Sequence, residues 1–332
     1  MKVTRTDVAK LAGVSTATVS YVLNGSRSMS EKTRKLVLDA VEQLNYKPDM
    51  IARSMTKNET RQLSFMVNDA TNPFYGEIIV GFENAAMERG YFVNICTGNK
   101  NINDYFDNYI ARRVDGVFIA AIPYKFDMAK LYSLTDNGIR VVVSGNTDVD
   151  LKRVSSIESD YVTAMDKAVS YLYGLGHREI SYLSGLSRKF QFDHRIIEQF
   201  NQLPCGSDLL FDGRSPYHTE IAEGYALTQE LLKSERRFTA VICLNDLMAM
   251  GAISALQEAG LRVPEDVSVM GFDDILFSQA WRPSITTMAV SKAEFGKKAF
   301  ELLYTNIQQG TTGYYLNQLE LIQRASTAPP GR

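Results

Sequence analysis

The stretch Asp7-Val8-Ala9-Lys10-Leu11-Ala12-Gly13-Val14-Ser15-Thr16-Ala17-Thr18-Val19-Ser20 decides the fold of the amino-terminal part of the chain. Thr6 is placed to cap a short helix from Asp7 to Ala12. Gly13-Val14-Ser15 then interrupts the helical pattern, because glycine permits the tight turn between two helices. The stretch therefore predicts two short helices joined by a turn, which is the sequence form of a helix-turn-helix.

The helices after this turn also have recognisable ends. Ser15 is placed to cap a second helix that runs through Leu23, and Asn24-Gly25 ends it. Ser30 caps a third helix, and Pro48 prevents any continuation. The first sixty residues thus read as a small three-helix domain.

In a helix-turn-helix the second helix enters the major groove of DNA with its amino-terminal residues facing the base edges. Here that helix presents Thr16, Ala17, Thr18 and Tyr21. The hydroxyl groups of Ser15, Thr16 and Thr18 suit phosphate or base contacts, and Ala17 suits a thymine methyl group. An unrelated three-helix bundle without a ligand is the alternative at this point.

The distribution of charge favours DNA binding. Residues 1–60 hold ten Lys and Arg against six Asp and Glu, although the whole chain has a net charge of −2. A small basic module on a larger acidic body is typical of a protein that places one domain on nucleic acid.

Cysteine content and hydrophobic runs predict the compartment. Cys96, Cys205 and Cys243 are odd in number and widely spaced, which argues against a disulfide framework or a zinc cluster. The longest apolar run, Val117–Ile122, is too short to span a bilayer, and the first residues lack the apolar core of a signal peptide. We expect a cytoplasmic protein with no membrane partner.

From Arg61 onward, apolar strand-like runs alternate with amphipathic helical stretches. The predicted strands are Leu63–Val67, Tyr91–Ile95, Gly116–Ala121, Arg140–Ser144, Glu179–Ser184, Thr239–Cys243 and Val267–Gly271. Such alternation implies βαβ units and parallel sheets. The roughly 270 residues from Arg61 onward are too many for a single hydrophobic core, so we expect two α/β subdomains.

The sequence also resembles the lactose/galactose repressor (LacI/GalR) family over almost its whole length. The opening stretch carries the resemblance together with Val22-Leu23-Asn24 and with these later segments: Leu44–Pro48, Ala52–Met55, Asn72–Tyr75, Arg113–Gly116, Gly174–Arg178, Asn245–Gly251, Val263–Ser268, Gly271–Asp274, Pro283–Thr287 and Arg324–Thr327.

This resemblance implies an all-α helix-turn-helix headpiece at 1–47, a hinge helix and linker at 48–61, and an effector-binding and dimerisation domain at 62–332. The last is expected to be an α/β body like the periplasmic binding proteins, with two doubly wound parallel-sheet subdomains. Subdomain one would comprise 62–157 and 289–316, and subdomain two 158–288 and 317–332.

The resemblance also implies a set of DNA-contacting residues. Met55 takes the place of the apolar wedge that the hinge pushes into a central minor-groove step, with Arg53 against phosphate or minor groove. Tyr21 stands where many members carry a base-reading arginine, so the operator sequence should differ from that of better-known relatives. The full set is Thr6, Ser15, Thr16, Ala17, Thr18, Tyr21, Asn24, Ala52, Arg53 and Met55.

An effector is expected in the cleft between the subdomains, at the carboxyl ends of the strands. Asp273 and Arg195 are the expected polar contacts, because a carboxylate and a guanidinium each make paired hydrogen bonds to neighbouring hydroxyl groups. Asn68, Phe74, Tyr75 and Asn245 complete the expected lining. Ile196–Phe200 departs from the glycine-aromatic pair that commonly follows the arginine.

Catalysis and cofactor binding are not expected. The three histidines, His177, His194 and His218, have no metal-ligand spacing, and no nucleophile elbow or phosphate-binding loop is present. We expect a homodimeric repressor of carbohydrate genes that binds a pseudo-palindromic double-stranded operator and is released by a small-molecule effector, a sugar. Two alternatives remain: a global carbon-catabolite regulator that binds a phosphorylated carrier protein, and a purine- or nucleoside-responsive repressor.

Overall fold

The computed structural model describes residues 3–25, 27–47, 59–67, 69–97, 102–120, 127–145, 149–184, 208–210, 219–234 and 236–331. The chain divides into two compact units, Met1–Thr60 and Arg61–Arg332. Five predicted site residues lie outside the described residues, namely Ala52, Arg53, Met55, Asn68 and Arg195, as does the side chain of Asn24.

The described residues of the first unit form three helices: α1 (Arg5–Ala12), α2 (Thr16–Asn24) and α3 (Glu31–Gln43). The prediction that Thr6 caps the first helix is wrong, because Thr4 holds that position. The Asp7 carboxylate accepts hydrogen bonds from the backbone N–H and the hydroxyl of Thr4, at 2.9 and 2.6 Å. This pairing leaves Thr6 inside the first turn, with its side chain exposed.

The predicted caps Ser15 and Ser30 and the predicted end of α2 are confirmed, whereas α3 ends at Gln43 and Pro48 lies outside the described residues. The Ser15 hydroxyl accepts from the backbone N–H of Thr18, and the Ser30 hydroxyl accepts from that of Thr33. Gly13 adopts a left-handed φ of 66° between α1 and α2, and Gly25 ends α2 with a φ of 62°. Val8, Val19 and Val37, one from each helix, are fully buried in the shared core.

In the second unit, the described part of the chain forms two six-stranded sheets. The first sheet is wholly parallel and has the order β11-β5-β4-β3-β1-β2. Its strands are β1 (Gln62–Val67), β2 (Phe92–Thr97), β3 (Gly116–Ile119), β4 (Arg140–Ser144), β5 (Ser155–Ser159) and β11 (Tyr314–Asn317). The helices beside it are α4 (Pro73–Glu88), α5 (Ile102–Arg112), α6 (Met128–Asp136) and α11 (Lys292–Gln309).

The second sheet has the order β12-β10-β9-β8-β6-β7 and is parallel except for β12, which runs antiparallel to β10. Its strands are β6 (Ile180–Leu183), β7 (Asp208–Leu210), β8 (Ala240–Cys243), β9 (Ser268–Asp273), β10 (Thr286–Ala289) and β12 (Glu320–Ile322). Its helices are α7 (Tyr161–Leu175), α8 (Ile221–Lys233), α9 (Asp246–Glu258) and α10 (Leu276–Ala280).

The chain passes between the two sheets at residues 159–161, 289–292 and 317–320. Both sheets have helices on both faces, and separate buried clusters fill the space between each sheet and its helices. The prediction of an α/β body with two parallel-sheet subdomains is confirmed. We call the part built on the first sheet the first subdomain and the part built on the second sheet the second subdomain.

Candidate DNA-binding and effector sites

Helix α2 has a buried side and an exposed side. Val19 is fully buried, whereas Thr16, Ala17 and Tyr21 are exposed. These three side chains are therefore available to the edges of bases in a major groove. Their contact with DNA stays a prediction.

Arg27 adds a cation to this exposed side. Its guanidinium carbon lies 5.8 Å from the centroid of the Tyr21 ring, within the range of a cation–π contact. An arginine can bind guanine through two hydrogen bonds. Arg27 places its guanidinium close to Tyr21, which stands where many family members carry a base-reading arginine. Our sequence analysis missed Arg27, although a basic residue three positions beyond the end of α2 is a visible signal.

The hydroxyl groups at the start of α2 already have partners within the helix. The Ser15 and Thr18 hydroxyl oxygens lie 2.9 Å apart, and Ser15 also caps the backbone N–H of Thr18. This contact uses one of the two hydroxyl hydrogens, so one of the two groups still has a hydrogen to donate to a phosphate oxygen. The cap orients both groups at the end of the helix where the positive dipole favours an anion.

In the second unit, Asn72-Pro73-Phe74-Tyr75 begins α4 directly beyond the carboxyl end of β1. The Asn72 side chain accepts from the backbone N–H of Phe74 at 3.0 Å, and Pro73 occupies the first helical turn. Phe74 packs against both buried clusters of the second subdomain as well as one cluster of the first. It therefore spans the space between the subdomains at the helix start.

Asp273 faces this helix start from the second subdomain, at the carboxyl end of β9. It is 7% exposed and has an unusual left-handed φ of 99°. The Tyr161 hydroxyl donates to the Asp273 carboxyl oxygen Oδ1 at 3.3 Å. Tyr161 begins α7, and its ring centroid lies 6.0 Å from that of Phe272.

Burial and neighbouring carboxylates disfavour the charged form of Asp273. Burial raises its pKa to about 8, with a further contribution from Asp246 and an opposing one from the Lys292 ammonium. Burial likewise raises the pKa of Tyr75, and the negative charge of Asp273 raises it further. The Asp273 carboxyl group thus accepts from the Tyr161 hydroxyl and acts electrostatically on the Tyr75 hydroxyl of the first subdomain.

Asp246 is a structural neighbour of this site. Its Oδ2 atom accepts from the backbone N–H of Ile275 at 3.0 Å and from the Ser278 hydroxyl at 2.6 Å. Burial raises the pKa of Asp246 to about 6. Gly271 must lack a side chain because a Cβ there would lie 2.1 Å from Asp246 Oδ1. The second subdomain therefore carries two buried carboxyl groups close to one sheet edge.

The polar groups of Asn245 are engaged inside the protein. Its side-chain oxygen accepts from the backbone N–H of Met248 and caps α9, while its amide nitrogen donates to the Thr219 carbonyl at 2.8 Å. These two hydrogen bonds are a sufficient structural reason for an asparagine after β8, even if it contacts no ligand. An effector contact by Asn245 stays a prediction, as do those of Asn68 and Arg195.

Tyr161 is a candidate effector-site residue that our sequence analysis missed. Asp160 caps α7 by accepting from the backbone N–H of Thr163, and the aromatic residue follows at once. In α4, Pro73 separates the cap Asn72 from the aromatic residues Phe74 and Tyr75. The signal went unused because β5, with the sequence Ser-Ser-Ile-Glu-Ser at 155–159, is too polar to predict as a buried strand.

Within the ranges given above, no cluster of three or more His, Cys, Asp or Glu residues is arranged to hold a metal ion. None of the described helices is both long enough and apolar enough to cross a membrane.

Comparison with known families identifies both units. Residues 4–49 match the family described as "Bacterial regulatory proteins, lacI family", and residues 169–327 match "Periplasmic binding protein-like domain". The repressor PurR of Mannheimia succiniciproducens is 37% identical to this chain over 314 residues, which are 91% of each protein. The chain belongs to the LacI family.

Solved structures of LacI-family proteins share this fold. The lac repressor dimer bound to operator and the anti-inducer ONPF is 27% identical, with a TM-score of 0.81 over 99% of this chain and 100% of that one. The regulator CelR in complex with cellobiose is also 27% identical, with a TM-score of 0.72 over 98% and 99%. Like its LacI-family relatives, this chain is a ligand-responsive DNA-binding transcriptional repressor.

Proposed function

We propose that this LacI-family repressor responds to a purine base or nucleoside rather than to a sugar. The observation that carries the proposal is the 37% identity, across 91% of both chains, to a repressor named PurR. The cellobiose-bound CelR is less similar, at 27%. This favours the purine alternative over our expectation of a carbohydrate regulator.

The chemistry of the cleft supports a flat heterocycle. Phe74 and Tyr75 begin α4 on one side, and Tyr161 begins α7 on the other. Aromatic rings gain from stacking on a planar base. The Asp273 carboxyl group lies beside Tyr161. When charged it accepts hydrogen bonds from ring or exocyclic N–H groups of a base, and when protonated it donates one hydrogen bond.

A sugar is the second candidate, because aromatic faces also cover the apolar face of a pyranose and a carboxylate binds paired hydroxyl groups. The cellobiose complex of CelR, with its similar fold, favours this candidate. No observation on this chain specifically favours a phosphorylated carrier protein.

We further propose that the repressor acts as a homodimer on a pseudo-palindromic operator, with a role in binding and none in catalysis. Two groups of exposed apolar side chains on the second unit support self-association. Val80, Met87, Phe92 and Ile95 lie on α4 and β2, and Ile221, Leu276 and Phe277 lie on α8 and α10. The dimeric, operator-bound lac repressor has the same fold.

The test is a thermal-melting screen of the full chain against adenine, guanine, hypoxanthine, their nucleosides, ribose and cellobiose. A ligand present at about 100 times its Kd stabilises the native state by about 2.7 kcal/mol, which raises the melting temperature measurably. We expect a purine compound to raise it and both sugars to leave it unchanged.

A matched pair of variants localises the effect. Asp273→Asn should reduce the shift, because it replaces the buried carboxyl group that we place against the ligand. Asp107→Asn, an exposed carboxylate of α5 beside Lys130, should leave the shift intact. A rise with cellobiose or ribose alone would overturn the proposal of a purine effector.

A further inference from the structure

Lys292 is a buried cation between the two sides of the cleft. Its side chain is 4% exposed, at the first residue of α11. The ammonium donates to the backbone carbonyls of Asp273 and Asp274, at 2.9 and 2.6 Å, and lies 3.5 Å from the Glu77 carboxylate oxygen Oε1. An ammonium has three N–H groups, of which two are used by the carbonyls, and the Glu77 carboxylate adds an ion pair.

The position is electrostatically unfavourable for a lysine without those partners. The amino-terminal end of a helix carries partial positive charge and favours anions. Burial also disfavours a charged ammonium. The three acceptors must therefore compensate for both costs, which argues that the contacts themselves hold Lys292 in place.

Those contacts join the two subdomains. The two carbonyl groups belong to the end of β9 in the second subdomain, where Asp273 and Asp274 both have left-handed φ angles, of 99° and 54°. Glu77 belongs to α4 of the first subdomain, two residues after Tyr75. A displacement of the backbone that carries Asp273 thus moves an acceptor of the same ammonium that pairs with α4.

Helices α4 and α11 are also in unusually close contact beyond this point. A Cβ at Gly81 would lie 2.0 Å from the Ala293 carbonyl oxygen, and one at Gly296 would lie 2.0 Å from the Ile78 carbonyl oxygen. With the two backbones this close, a shift at the start of α11 cannot be absorbed by side-chain rearrangement between the helices.

We propose that Lys292 is a positioning residue that transmits the state of the cleft from the end of β9 to α4, through its carbonyl contacts and its ion pair with Glu77. The proposal rests on the proposed function, in which Asp273 contacts the effector. It assigns the repressor a route by which an event in the second subdomain changes the first.

Hydrogen-exchange mass spectrometry of the ligand-free full chain tests this route. Glu77→Gln removes one carboxylate charge from the first subdomain at a half-exposed position, so it should not impair folding. The Lys292–Glu77 ion pair is partly exposed, so its loss should weaken the structure only modestly. We expect the backbone amides to exchange about two- to fivefold faster than in the wild-type chain. The faster exchange should reach residues 271–278 of the second subdomain as well as the start of α4.

Glu88→Gln is the matched control, since Glu88 is an exposed glutamate at the other end of α4. It should leave exchange in residues 271–278 unchanged. Lys292→Met should accelerate exchange in both regions more than Glu77→Gln does, because it also removes the carbonyl contacts. A Glu77→Gln effect confined to α4, or no effect, would overturn the proposed route.

The readout needs no effector. If no purine stabilises the wild-type chain, the proposed effector class fails while the exchange result still decides the role of Lys292. Conversely, a purine response combined with unchanged exchange at residues 271–278 in Glu77→Gln would leave the proposed function intact and remove Lys292 from it.

Discussion

At the scale of single residues, Asp273 combines three features that make it sensitive to its surroundings. It is buried, its φ is left-handed, and it shares one sheet edge with the Asp246 carboxyl group. Asparagine tolerates a left-handed φ and keeps the size of the side chain. Asp273→Asn is therefore a substitution that removes the titratable group with little change of shape.

We expect Asp273→Asn to remove part of the pH dependence of stability. The pKa of Asp273 rises from 3.8 to about 8 on folding, so between these values the folded state keeps a proton that the unfolded chain releases. The free energy of unfolding therefore falls as pH rises through this window, by at most about 1.4 kcal/mol per pH unit.

Urea unfolding near the two ends of this window measures the effect. Between about pH 5 and about pH 8, the wild-type chain should lose more stability than the Asp273→Asn variant does. Parallel losses in both proteins would show that Asp273 is ionised in the folded state at neutral pH.

Tyr21 supports a prediction about operator sequence. Tyr21→Ala should change the preferred bases of the half-site more than the total affinity, because a base-reading side chain specifies whereas phosphate contacts position. In vitro selection on randomised half-sites measures the preference. Lys35→Ala, an exposed cation of α3, is the control and should leave the preferred bases unchanged. An equal loss on all sequences after Tyr21→Ala would contradict its reading role.

At the scale of elements, two glycines of α4 should respond to the same substitution with opposite signs. Gly81→Ala should destabilise the protein by about 1–3 kcal/mol, because its Cβ would overlap the Ala293 carbonyl. Gly76→Ala meets nothing within 4 Å and should stabilise by about 0.5–1 kcal/mol, as alanine is the better helix former.

Chemical denaturation of the two variants beside the wild type measures both changes. Destabilisation by Gly76→Ala would mean that the space beside it is needed in the folded state. A neutral Gly81→Ala would show that α4 and α11 separate easily, which would also weaken the proposed transmission through Lys292.

The elements that sequence reasoning found and missed differ in a physical way. Apolar strands such as β4 and β8 stand out because both faces of a parallel sheet are buried. Strands β5 and β12 carry Ser or Glu residues and lie toward the edges of their sheets, so no apolar run marks them. Caps were predictable where a single Ser or Asn precedes an apolar pattern.

The same reasoning explains which parts of the site were missed. Phe74, Tyr75 and Asp273 follow recognisable strands, so their place at the sheet edge could be predicted. Tyr161 follows the unrecognised β5. Lys292 could not be found from sequence, because a lysine at a helix start is usually solvated. Two of the acceptors of Lys292 are carbonyls 18 and 19 positions earlier in the chain, and the third is the Glu77 carboxylate on another helix.

At the scale of the whole molecule, the exposed apolar side chains of α10 predict the oligomeric state. Replacing Leu276 and Phe277 together by Glu should convert a dimer to a monomer, because like charges would face each other across a two-fold axis. Sedimentation velocity measures the change. Leu151→Glu, at another exposed leucine, is the control and should leave the dimer intact. A dimer that survives the double substitution would place the interface elsewhere.

We expect a purine compound in the cleft to change the affinity of the headpiece for DNA. The most direct test is the fluorescence anisotropy of a labelled operator, obtained by in vitro selection, titrated with the full chain with and without the purine that raises its melting temperature. Coupling between two such sites typically changes affinity by about 5- to 150-fold, and we predict a change in operator Kd within this range. An operator Kd that is the same with and without that purine, or that changes only with a sugar, would contradict the account.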